Sequence, residues 1–140
     1  MKSISVKRMH TDATLPTRAH PNDAGIDLYT LEDAHLPPFE GKLVRTGIAF
    51  AIAQGFVGMI ADRSSMAKKG VKTAGGIIDA GYRGEVMVVL RNITAQEIVL
   101  KRGERIAQML ILPIATPAVV EAQELDATAR GAGGFGSMGA

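Results

Sequence analysis

The chain has 140 residues, 46% hydrophobic and 21% charged, with a formal net charge of +2, which is the size and make-up of one soluble globular domain. So small a charge does not point to a nucleic-acid binder, and an aromatic content of 4% with no Trp leaves little on which to stack bases. The absence of Cys excludes disulfides, Cys-ligated zinc and thiol nucleophiles together. A chain this short can bury one core but hardly a deep private cleft as well, which leaves room for sites formed between subunits.

The N-terminal MKSISVKRMH lacks the apolar stretch of a secretory signal. Apolar runs such as Met109 to Ile114 fall far short of a bilayer span, so a soluble, cytoplasmic protein is expected. Ile4 and Val6 alternate with polar neighbours. Short runs rich in β-branched residues follow at 43–50, 56–60, 85–90, 98–100, 109–112 and 119–120. Gly or Pro separates nearly all of them, a pattern that predicts an all-β sandwich or barrel over a single domain, 1–140. One or two helical turns are expected around Ser65 to Lys69, capped by Ser64 or Ser65 and ended at Gly70. Pro113 and Pro117 interrupt an apolar strand, and a second run, Val119 to Leu125, continues beyond them. Residues 113–129 therefore read as an arm that leaves its own sheet and crosses onto a neighbour. The remainder, RGAGGFGSMGA from Arg130 to Ala140, is too rich in Gly to pack a core and is expected to be mobile alone.

Five polar or Gly-rich clusters lie between the strands. In NDAGIDLY (22–29), Asp27 is either a turn residue or a functional carboxylate. In DRSSMAKKG (62–70), Arg63, Ser64 and Ser65 can bind phosphate through guanidinium, hydroxyls and free amides, or can simply form a solvated helix start. In GGIIDAGYRGEV (75–86), Asp79 lies between Ile77-Ile78 and a turn. Partial desolvation there would raise its basicity and suit a general base, with the ring of Tyr82 close by; a hairpin turn with a surface Tyr is the plain alternative. In KRGERIAQML (101–110), Arg105 and Gln108 leave a Gly103 turn, and Gln108 either positions a water or phosphate oxygen or is the polar side of an edge strand. The tail's GAGGFG matches GxGxxG literally, but no helix can follow, so a dinucleotide fold fails. A disordered tail is one reading. The other is a lid, with Arg130 and Gly amides on phosphates and Phe135 on a base. His10, His20 and His35 show no metal spacing and read as surface residues.

Together, AGIDLY, RSS, GGIIDAGYRGEV, GERIAQM and RGAGGFGS resemble, in order, the motifs of the trimeric dUTPase family from Asn22 to Ser137. The resemblance implies a jelly-roll-like β fold, a homotrimer with C-terminal arm exchange, and sites each assembled from all three chains. It implies Mg²⁺ as cofactor and hydrolysis of dUTP to dUMP and pyrophosphate by Asp-activated water at the α-phosphorus. Such an activity limits uracil incorporation into DNA and supplies dUMP for dTMP synthesis. By the same resemblance, Asp79 activates water and contacts the sugar 3′-hydroxyl, Gln108 sits near the reacting phosphate, and Asp27 reaches Mg²⁺ through water. Tyr82 lies under the deoxyribose and excludes a 2′-hydroxyl. Backbone groups near Ala74, Gly76 and Ile77 read the uracil edge, with Ile78 and Met87 among the substrate contacts. Arg63, Ser64 and Ser65 bind phosphate, and Arg130, Phe135, Gly136 and Ser137 form the lid over 130–140. No nucleic-acid or membrane partner is implied.

Ser65 stands where many relatives have Gly, and Gly81 where many have Asp, which leaves Asp79 as the expected base. Thr73 to Gly76 offers no Asn for uracil, so backbone recognition of the base is expected. A dCTP deaminase of the same fold is the nearest alternative, but it carries a catalytic Glu where this chain has Val89. A non-catalytic nucleotide-binding trimer would be expected to lose Asp79 or the tail, and both are present.

Overall fold

The computed structural model describes residues 2–136, so Ser137 lies outside the described residues. The chain forms β1 (Ser5–Arg8), β2 (Ile26–Tyr29), β3 (Ala34–Leu36), β4 (Gly41–Arg45), β5 (Ile48–Ala51) and β6 (Phe56–Ala61). One short helix, α1 (Ser64–Lys68), precedes β7 (Val71–Ala74), β8 (Ile77–Ile78), β9 (Met87–Asn92), β10 (Ile98–Leu100) and β11 (Arg105–Pro113). Two larger sheets, ordered β2-β11-β6-β8 and β4-β9-β7, are accompanied by the two-stranded sheets β1-β5 and β10-β3, all antiparallel. This is the expected all-β, jelly-roll-like architecture. No helix among the described residues is long and apolar enough to cross a membrane.

Period-two patterning builds the core. In β9, Val88, Leu90 and Asn92 point inward while Met87, Val89 and Arg91 face out. Leu28 and Met109 from one large sheet and Val88 and Leu90 from the other are fully buried in a single cluster. Burying an aliphatic side chain of this kind contributes about 1.5–3 kcal/mol. Asn92, 1% exposed, is satisfied throughout. Its Nδ2 donates to the carbonyls of Leu36, Pro37 and Gln96, and its Oδ1 accepts from the Thr94 amide and hydroxyl.

Three local expectations are corrected. The run 43–50 is two strands in different sheets, because the chain turns at Thr46 and at Gly47, whose φ is +70°. The α1 N-cap is Arg63, in extended conformation and without a side-chain cap bond, so neither serine caps the helix. The glycines of 75–76 are both at positive φ. They pass the chain from β7, paired with β9, to β8, paired with β6. Finally, Val119 to Leu125 forms no strand: every residue from 113 to 132 is exposed, and Val119 is 101% exposed. The chain offers this segment nothing of its own to pack against after the Ile114 amide bonds the Gly55 carbonyl at 2.9 Å.

Candidate active site

The first cluster of site residues converges at one end of the β2-β11-β6 sheet. Asp27 on β2 lies directly across the ladder from Gln108 on β11, which in turn lies opposite Ala61 on β6. Arg105 and Gln108 are three apart and would ordinarily face opposite sides of a strand. A register shift between Arg105 and Ala107 sets an extra residue against β2, and this bulge brings both side chains to the same side. Together with Arg63, Ser64 and Ser65 they line a cavity of about 490 Å³.

Within it Asp27, 8% exposed, accepts from Arg63 Nε at 3.0 Å and faces Arg105 Nη1 at 3.5 Å. Arg63 Nη1 also donates to Ser65 Oγ at 3.3 Å and to the Arg105 carbonyl at 3.4 Å. The Gln108 amide is fixed in direction. Its Nε2 donates to the Asp62 carbonyl at 2.7 Å, and its Oε1 lies against Gly25, where any Cβ would overlap it. Two guanidiniums, two hydroxyls and an oriented amide around one cavity form a donor set for phosphate oxygens.

Among the described residues no group of three His, Cys, Asp or Glu side chains could cage a metal. Asp27 has one bonded partner per carboxylate oxygen, and a carboxylate has about four acceptor positions in all. Asp27 therefore keeps acceptor positions for the water of a hard cation that phosphate oxygens would bring, while the described residues offer no cage of their own.

The second cluster forms a separate cleft of about 330 Å³, lined by Asp79, Tyr82, Ile77, Ile78, Met87 and, from β4, Leu43. Glu85 completes it. Asp79 is exposed on this chain, which corrects the expectation of a partly desolvated carboxylate: desolvation there must come from a bound molecule or another chain. Its side chain has no hydrogen-bond or ion-pair partner among the described residues, while its carbonyl accepts the Tyr82 amide at 3.1 Å. Ala74 and Gly76 lie outside this cleft. Ala74 is paired with Val89, and the Gly76 carbonyl accepts the Ile60 amide at 2.8 Å.

The two clefts share no lining residue. The third set, the tail, stands apart from both. Arg130 Nε donates to the Gly133 carbonyl at 2.7 Å, and Phe135 is fully exposed at φ +51°. The histidines are exposed, as expected: His20 pairs with Asp23 and His35 with Glu97.

Three participants have no role assigned from sequence. Arg105 and Glu85 sit inside the motifs GER and YRGEV, and only the bulge and the cleft show their placement. Asp62 is the third. Its carboxylate accepts the Thr73 amide at 2.6 Å and hydroxyl at 2.9 Å and pairs with Lys72, tying the residue before Arg63 to the strand before Gly75. Partial burial pushes this carboxyl up, but the hydrogen bonds from Lys72 and Thr73 and the Lys72 charge outweigh it and hold the pKa below the usual carboxylate value.

The sequence pattern of the dUTPase family matches residues 11–139. The deoxyuridine 5'-triphosphate nucleotidohydrolase of Nocardia farcinica is 48% identical over 99% of this chain and 87% of its own length. The solved dUTPase of Staphylococcus bacteriophage 80alpha with dUpNHpp superposes with a TM-score of 0.92 at 30% identity, over 100% of both chains. A dUTPase from phage phi11 of S. aureus, described as coordinating a structural Mg(II) ion, superposes with a TM-score of 0.81 at 26% identity over 87% of this chain and 97% of its own. An all-β fold with a phosphate-type cavity and a separate carboxylate cleft is thus the frame of a nucleotide hydrolase. The chain belongs to the dUTPase family.

Proposed function

We infer that the chain is a dUTP diphosphatase, hydrolysing dUTP to dUMP and pyrophosphate at sites assembled in a homotrimer. The observation that carries the assembly is the separation just described: Asp79 and Tyr82 line one cleft, and Arg63, Ser64, Ser65 and Gln108 line another with no residue in common. A nucleotide needs both, so one chain supplies the base and sugar cleft and a second the phosphate cavity. The exposed, apolar segment from 113 to 129 supports the same reading, as an arm seated on a neighbour. The tail from 130 then serves as lid, with Arg130 on phosphate and Phe135 over the base.

In this reading Asp79 accepts a proton from a water and directs it at the α-phosphorus, and pyrophosphate leaves. Arg63 fixes phosphate charge, and the two serines donate to its oxygens. Gln108, locked by the Asp62 carbonyl, orients the reacting phosphate. Mg²⁺, when bound, would neutralise the triphosphate and fix its fold, with Asp27 as the outer carboxylate that holds its water. Positioning and electrostatics supply most of the rate gain. Backbone groups near Ile77 read the uracil edge. A mismatched, unpaired polar group there costs about 1–3 kcal/mol, which is enough to reject cytosine. In the cell this activity keeps uracil out of DNA and supplies dUMP for dTMP synthesis.

Deamination is disfavoured on this chain. Val89, where the deaminase carries Glu, is on the outer face of β9, and Glu85 is committed to Arg45 through two hydrogen bonds of 3.1 Å. The test is pyrophosphate release from dUTP, dCTP, dTTP and UTP with Mg²⁺. Pyrophosphate from dUTP alone is expected; ammonia from dCTP would establish the deaminase, and equal turnover of all four would refute the specificity.

A further inference from the structure

The loop carrying Tyr82 is fastened to the body by two consecutive residues. Arg45, the last residue of β4, grips the Glu85 carboxylate through Nε and Nη2, each at 3.1 Å. Thr46 donates its hydroxyl to the Val86 carbonyl at 2.5 Å, and the Val86 amide bonds the Ile48 carbonyl at 2.7 Å. The Glu85 side chain is only 10% exposed, although it lines the cleft that would take a polyanion's nucleoside. A lone carboxylate in that position would repel the substrate, and a bidentate guanidinium cancels it.

The consequence falls on Tyr82. Its hydroxyl donates to the Glu85 carbonyl at 2.8 Å, so the ring is held only as firmly as Glu85 is. Its ring also lies on Gly84, where a Cβ would come within 2.7 Å of the ring Cζ. Gly84 leaves the space and Glu85 closes the far edge.

We propose that the Arg45–Glu85 ion pair is a positioning device for the Tyr82 ring, and through it sets the enzyme's discrimination between 2′-deoxyribose and ribose. The proposal rests on the reading of Tyr82 as the sugar's platform. Neither charged group takes part in the chemistry. With the pair broken, the Glu85 backbone and the ring it anchors gain freedom, and space opens for a 2′-hydroxyl.

The experiment compares kcat/KM for dUTP and UTP in wild type, Glu85→Gln, Arg45→Lys, Tyr82→Phe, Tyr82→Ala and the double variant Tyr82→Phe with Glu85→Gln, with thermal midpoints recorded for each. The dUTP:UTP ratio is expected to fall about tenfold in Glu85→Gln and Arg45→Lys. Tyr82→Phe, which cuts the tie to the Glu85 carbonyl, should lower it similarly, and adding Glu85→Gln to it should lower it no further, as expected of residues acting through one contact. A purely structural ion pair would lower the midpoint and both rates together and leave the ratio as it was, which overturns the proposal. Arg45→Lys carries the test by itself if Glu85→Gln does not fold. An unchanged ratio in Tyr82→Ala would instead refute the sugar reading itself; a lowered ratio there with none in the ion-pair variants would refute the ion-pair proposal alone.

Discussion

Asp27 lies on β2 and Arg63 just beyond β6, two strands that do not pair, yet Arg63 Nε donates to Asp27 Oδ1 at 3.0 Å. The sheet order β2-β11-β6 explains it, since β11 lies between the strand that bears Asp27 and the strand that leads into Arg63. The residue read as phosphate ligand is therefore aimed by the residue read as the metal's outer carboxylate. Asp27→Asn should loosen both. Catalytic efficiency is expected to fall about 10–100-fold, as when an outer partner of a metal site is lost. A Mg²⁺ titration of the initial rate should show a raised half-saturation; an unchanged titration would remove Asp27 from the metal's surroundings.

Asp79→Asn keeps shape and removes the proton acceptor. Turnover of dUTP is expected to fall about 10²–10⁴-fold, while affinity for a non-hydrolysable dUTP analogue, measured by calorimetry, changes little. Turnover within a few-fold of wild type would mean that another group activates the water.

Deleting residues 130–140 removes no buried residue among those described. The truncated protein should fold and melt as wild type does, with severely reduced turnover, checked by circular dichroism beside pyrophosphate release. Near-normal turnover would refute the lid.

Asp62 gives a pH signature. Its folded pKa is lowered, so the stability it contributes is complete above the unfolded carboxylate value of about 3.9 and is lost as pH falls through the folded value. Asp62→Asn should lower the stability near neutrality by roughly 1–3 kcal/mol for the weakened hydrogen bonds, and the thermal midpoint with it. It should also flatten the midpoint's decline on acidification. Melts taken from pH 7 down to pH 3 distinguish this from a uniform loss.

Much of this arrangement was legible in the residues. Gly and Pro punctuation delimits the strands closely, because turns demand those residues wherever they fall; Ile98 to Leu100 is predicted and found with the same bounds. The site clusters were legible as polar residues held at strand ends. What could not be read is long-range or depends on register. The turn at Thr46 and Gly47 looks like strand interior until Thr46 finds Val86, 40 residues away. The same separation hides Arg45 from Glu85. The β11 bulge reverses the facing of Arg105 relative to Gln108, and no local propensity announces it. Asp79 is exposed despite its apolar neighbours, because Ile77 is itself 62% exposed and Ile78 packs against the core.

The most direct measurement mixes two inactive proteins, Asp79→Asn and Arg63→Ala, by denaturing and refolding them together. Each chain retains the half that the other has lost. If a site takes its carboxylate and its arginine from different subunits, random trimers should recover about a quarter of the wild-type dUTPase sites. A mixture as inactive as its separate components, though trimeric by sedimentation, would mean that both halves come from the same chain, contradicting the account.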